Sequence, residues 1–163
     1  MIPVVRATDW TKVRLESQAI LVGGFVAGTL DIGAACLINW RDPSIICQAI
    51  ASGLLGAASF GMGTRSAGVG LLLQWFLSIL IASIYLGVSQ WFPVLRRRWV
   101  AAGCAYGIPV FVVMNYVVLP LSAVGHVAHF TPVRAAGNFV AMIWFGFVIA
   151  FFARDRAPRT RGP

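Results

Sequence analysis

The residue with the most chemistry to offer in this sequence is a carboxylate inside an apolar run. Asp31 stands in the stretch 18–38, and no other side chain there carries a formal charge. Moving an Asp toward the centre of a bilayer costs roughly 2.5–3.5 kcal/mol on insertion scales, so it calls for a partner, a proton or access to water. Three carboxamides stand in other apolar runs: Gln74 early in 66–88, Asn115 late in 99–119 and Asn138 early in 135–153. If those runs are helices pointing alternately up and down, all four polar groups fall in the same half of the bilayer, each roughly 4–9 Å past its helix midpoint at 1.5 Å per residue. Gly24, Gly28, Asp31 and Ala35 share one helix face, so the carboxylate belongs to the side that approaches a neighbour most closely. A carboxylate among amides does one of two kinds of work. It is polar glue that fixes the helices by hydrogen bonding, or it is a proton- or cation-binding site reached from one membrane face.

Other chemistry is thinly represented. His126 and His129 have a spacing of three, which would suit two metal ligands on a helical turn, but catalytic zinc needs three protein ligands and no H-E-x-x-H occurs. The expectation is no metal. Cys36, Cys47 and Cys104 are isolated in apolar surroundings and read as small hydrophobes. The run Gly33-Ala34-Ala35-Cys36 fails as a lipoprotein cleavage site, because Gly33 stands where Leu is expected and Asp31 interrupts the apolar core before it. There is no G-x-S-x-G, P-loop or dinucleotide fingerprint, so neither an enzyme nor a bound cofactor is expected.

The elements that carry these groups follow from composition. Hydrophobic residues make up 59% of the chain and charged ones 11%, with a mean hydropathy of +0.82, which leaves too few polar side chains to cover a small soluble domain. Lipid must cover the rest. Spanning about 30 Å of hydrocarbon takes roughly 20 apolar residues in a helix. Runs 18–38, 66–88, 99–119 and 135–153 meet that length. A fifth apolar run, 43–62, makes the count ambiguous, and the positive-inside rule decides it. With four crossings, Arg6, Lys12, Arg14, Arg96, Arg97, Arg98, Arg154, Arg156, Arg159 and Arg161 share one side and only Arg41, Arg65 and Arg134 face the other. With five crossings most of the arginines move to the wrong side. The expected fold is therefore an all-α polytopic membrane protein, one domain over 1–153, with four transmembrane helices and a re-entrant or interfacial helix at 43–62 opened by Asp42 as cap and Pro43 in its first turn.

The net charge of +8 would suggest nucleic acid on a soluble protein, but here the basic residues collect at the ends of apolar runs. Arg96, Arg97 and Arg98 are placed to meet anionic lipid headgroups, and the tail 154–163 should be disordered or adsorbed to the same surface. The partners expected are the bilayer, a homo-oligomer or a larger membrane complex, and no nucleic acid. Within 43–62, Gln48, Ser52, Gly56 and Ser59 form a polar stripe, while Ala49, Gly53 and Ala57 form a small-residue ridge suited to packing. Pro109 should break one backbone bond of the third crossing, with Gly107 easing the bend.

The runs Gly28-Thr29-Leu30-Asp31, Gln48-Ala49-Ile50-Ala51-Ser52-Gly53-Leu54-Leu55-Gly56 and Met114-Asn115-Tyr116-Val117-Val118-Leu119-Pro120-Leu121-Ser122 resemble those of short, uncharacterised bacterial inner-membrane proteins of the YagU-like kind. The resemblance covers residues 20–125. It implies a bacterial inner membrane with both termini cytoplasmic, and no established activity. Such relatives carry His where this chain has Gln74, which weakens any proton-relay role at that position. Two functions follow as expectations: a small transporter or channel-like component centred on Asp31, or an assembly subunit that docks membrane partners through its small-residue faces.

Overall fold

The computed structural model describes residues 7–125 and 131–154. Among these residues the chain is all helix: α1 (Ala7–Asn39), α2 (Pro43–Leu55), a 3₁₀ continuation (Gly56–Gly61), α3 (Thr64–Trp91), α4 (Val94–Arg97), α5 (Trp99–Val113), a π turn (Met114–Val118), α6 (Leu119–Leu121) and α7 (Pro132–Ala153). Five stretches, Val13–Asn39, Pro43–Gly61, Thr64–Trp91, Trp99–Leu121 and Pro132–Ala153, are long and apolar enough to cross a membrane. This is the build of a multi-pass membrane protein. Histidines 126 and 129 and the tail beyond Arg154 lie outside the described residues.

Local chemistry sets the breaks between helices. α1 ends in a Schellman turn, with Arg41 N–H donating to Cys36 O at 3.2 Å and Trp40 at φ 50 in the place glycine usually takes. Trp40 is 89% exposed, where an indole at a membrane boundary belongs. Pro43 then opens α2 as expected, but the cap differs from the expectation. Asp42 holds the N-cap position with its backbone carbonyl, which accepts from Ile45 and Ile46 N–H, while its carboxylate makes no capping bond. In the same way Thr131 and Pro132 start α7.

The helices pack in the order α5, α7, α1, α3, α2. α1 and α3 are antiparallel: Gly24 lies on Ile79, Gly28 on Ser78 and Asp31 on Gln74. α7 runs antiparallel to α1, with Phe152 at Gly23 and Ile38 at Gly137. α5 runs antiparallel to α7 through glycine contacts: added Cβ atoms at Gly103 and Gly107 would strike the backbone of Phe147 and of Met142 and Ile143. Gly107 is thus a contact point between helices, and the irregular backbone comes later, in the π turn beyond Pro109.

This register fixes where α2 begins and ends. Ile32, Ala35 and Cys36 of α1 share a cluster with Ala67 and Leu71 of α3 and with Ile46, Cys47 and Ile50 of α2, so the end of α1 and the start of α3 lie at one level. α2 and its 3₁₀ continuation leave that end of the bundle and return to it. α2 passes so close to α3 that any Cβ on Gly70 would collide with the Cys47 carbonyl. Gln48 Nε2 donates to Gly63 O at 2.9 Å, and Ser66 Oγ to Ser59 O at 2.5 Å, so the polar stripe of this segment faces the start of α3. The small-residue ridge points elsewhere. Gly53 O accepts Ala123 N–H at 2.8 Å, which ties α2 to the chain after α6.

Candidate functional site

The four polar residues singled out by spacing come together as two pairs. Gln74 Nε2 donates to Asp31 Oδ2 at 2.7 Å across the α1–α3 contact. Asn138 Nδ2 reaches Asn115 Oδ1 at 3.5 Å between α7 and the π turn, while Asn115 Nδ2 donates back to Phe111 O at 2.8 Å. Gln74 is buried and the other three are partly buried. The Asp31 pair is held by its neighbours: Gly28 lets Ser78 approach, Ser78 Oγ donates to Gln74 O at 2.8 Å, and Trp75 Nε1 donates to Thr29 Oγ1 at 3.1 Å. Those contacts fix both backbones next to the pair.

Asp31, Gln74 and Asn138 line one cavity of about 810 Å³. Asn115 touches it only through Asn138. The C-terminal half of α1, α2, the middle of α3, the π turn with α6, and the N-terminal half of α7 form its walls. Those walls are chiefly aliphatic, with Ile32, Ile50, Leu73, Leu77 and Val118 typical, and among the described residues no aromatic side chain lines the cavity. Asp31, Gln74, Leu77 and Ala141 make the floor, farthest from the end of the bundle where α2 sits. The lining residues Leu54, Leu121 and Arg134 are exposed at that end, which forms the cavity's mouth, and Ala49 and Val117 are exposed along the walls.

Spacing alone missed Arg134. It precedes Asn138 by four residues, so both project from one face of α7 into the cavity. The i, i+4 relation was legible in the sequence, but reading Arg134 only as a loop charge hid it. With Gly137 beside Ile38, Arg134 lies about level with Arg41, roughly 15 Å beyond Asp31 at 1.5 Å per residue. Among the described residues no cation pairs with Asp31, and no three His, Cys, Asp or Glu side chains converge as a metal site would need.

The triple arginine divides. Arg97 and Arg98 are exposed, as headgroup contacts require. Arg96 turns inward instead: its Nη2 lies 3.6 Å from Glu16 Oε1 and its Nε donates to Ser89 Oγ at 3.0 Å, while Gln90 Nε2 donates to the other Glu16 oxygen at 3.2 Å. The side chains of Arg96 and Glu16 are only 13% and 14% exposed, so this arginine stitches α1 to α3 at the end of the bundle opposite the cavity. Glu16, just ahead of the apolar run, was the signal for it. At the same end the Arg154 guanidinium sits 3.9 Å over the Phe151 ring and 4.9 Å over that of Trp99.

No protein-family model, curated protein or solved structure matches this chain.

Proposed function

We propose that the chain is a four-crossing protein of a bacterial inner membrane, with both termini cytoplasmic, that works as a small transporter or channel-like component with Asp31 as its polar centre. The observation that carries this reading is the cavity itself: an 810 Å³ space bounded by five chain segments that ends on the Asp31–Gln74 pair. Inert packing would fill such a space, whereas a ligand site leaves it open next to a charged group. The level shared by the end of α1 and the start of α3 supports a re-entrant or interfacial α2, because a chain that returns to its starting face makes no crossing. The ten basic residues then stay on the cytoplasmic side, and the cavity faces outward.

The assembly-subunit alternative rests on small-residue faces that dock a partner. Gly24, Gly28, Gly70, Gly103, Gly107 and Gly146 are already in use inside the chain, each against a neighbouring helix, while Gly33, Gly68 and Gly87 face open space. The closest-packing glycines thus serve the chain's own bundle, and the site reading is the one put forward.

Two measurements test the proposal. In proteoliposomes, wild type carries a proton or monovalent-cation flux that Asp31→Asn lowers at least tenfold, and equal flux from both proteins overturns the ion-site reading. For topology, Cys36, Cys47 and Cys104 are replaced by Ala, and single cysteines at positions 41 and 65 are labelled from the same side of the membrane. Labelling from opposite sides would mean that α2 crosses.

A further inference from the structure

The chemistry of the cavity specifies an occupant, and the inference rests on the reading of Asp31 as a binding centre. The floor offers one carboxylate. Gln74 engages Oδ2, and among the described residues Oδ1 has no hydrogen-bond donor. A carboxylate oxygen in a space of low polarity takes a charged N–H donor best, since such bonds are shorter and roughly twice as strong as neutral ones. A divalent metal ion fits poorly, because among the described residues the neighbouring carboxylates are too few to replace its water. The aliphatic walls suit an alkyl chain. Among the described residues the lining offers no aromatic ring, and a quaternary ammonium is held by aromatic cages, so a donor with N–H groups suits these walls better.

Arg134 constrains the orientation. It stands roughly 15 Å from Asp31 at the mouth, beside the N-terminus of α7, so an incoming cation meets repulsion only at the rim and attraction at the floor. An anionic amphiphile would bind the opposite way, with its head on Arg134 and its tail pushed against the carboxylate.

We propose that the cavity binds a primary alkylammonium ion, its N–H₃⁺ donating to the Asp31 oxygen that Gln74 leaves open and its chain lying along the aliphatic walls of α2, α3 and α6. The volume is within the range of small-ligand sites, roughly 300–1,000 Å³, and a six-carbon chain spans about half the distance from floor to mouth.

The full chain in nanodiscs is titrated calorimetrically with hexylammonium, hexyltrimethylammonium, hexanoate and hexyl phosphate, with empty nanodiscs subtracted. Hexylammonium binds best, at least tenfold tighter than its trimethyl analogue, which lacks the N–H donors. From propyl- to hexylammonium the affinity rises about fourfold per CH₂, as expected for burial of each methylene. Asp31→Asn weakens hexylammonium at least tenfold. The comparison among ligands on wild type stands even if that variant folds poorly. Preferential binding of hexyl phosphate or hexanoate, lost in Arg134→Gln, would show a lipid-like anion site and overturn the proposal, as would equal binding of all four probes. Failure here is separable from failure of the broader reading. If hexylammonium does not bind but the Asp31-dependent flux persists, this inference falls and the ion site stands; if neither appears, both fall.

Discussion

The two ends of this bundle solve the same packing problem in opposite ways. At the end where α1 begins and α7 finishes, α5 lies on α7 with glycine backbones in contact, and the buried cluster of Tyr85, Leu86, Phe145, Val148 and Ile149 fills the space between helices. Tyr85 and Tyr106 meet edge to face with ring centroids 5.0 Å apart, and Tyr106 Oη donates to Ile81 O at 2.9 Å. At the other end the same helices leave the cavity between them, past Pro109 and the π turn, and α2 forms one wall. In lipid there is little hydrophobic drive between helices, so close backbone approach is what holds them. One half is closely packed, and the other leaves a cavity beside Asp31.

That contrast is broken most strongly at Gly107. Its replacement by Val puts two methyls into the Met142 and Ile143 backbone, which should cost about 3 kcal/mol, at the upper end of overpacking penalties. Thermal unfolding in detergent then shifts down by many degrees and the size-exclusion peak broadens. A Val at 107 with unchanged stability would mean that the glycine contact does not hold this end together.

A smaller effect is expected at the ion pair beneath it. Arg96→Gln removes the contact with Glu16 and the donor to Ser89, leaving a partly buried carboxylate, and stability falls by about 1–2 kcal/mol. Arg97→Gln, an exposed neighbour, serves as the control with less than about 0.5 kcal/mol. Equal losses in the two variants would return Arg96 to the lipid surface with the others.

The smallest change sharpens the comparison from the cavity side. Gln74→Leu should cost about 1 kcal/mol, in line with interhelical hydrogen bonds in membranes. The double replacement Asp31→Leu with Gln74→Leu should recover most of that loss, because an apolar pair leaves no buried polar group without a partner. Double-mutant stability measured in the same detergent decides this. If the double variant is far less stable than Gln74→Leu, the pair is a structural keystone and the cavity end shares the role of the other.

Much of this was legible from residues. The gap between a fully apolar run and one lone Asp identified the polar centre, and offsets of three and four placed Gly24, Gly28 and Asp31 on the face that meets α3. The apolar runs were visible because the bilayer demands length and hydropathy, which are properties of sequence alone. Charge and capping were read less well. Arg96 looked like its two neighbours until Glu16 and Ser89 were found beside it, and Asp42 capped through its carbonyl.

Sequence by itself therefore determined that the chain is helical and apolar, which stretches can enter a membrane, and which few polar groups share a depth. Only the tertiary structure decided that those groups form two pairs, that α2 packs against the end of α1 and the start of α3, and that the space between helices stays open beside Asp31. The physical reason is that hydropathy and helical period are local quantities. Whether facing helices touch or part depends on which residues at distant positions meet, and here Gly103 and Gly107 bring α5 onto α7 while the π turn beyond Pro109 borders the cavity.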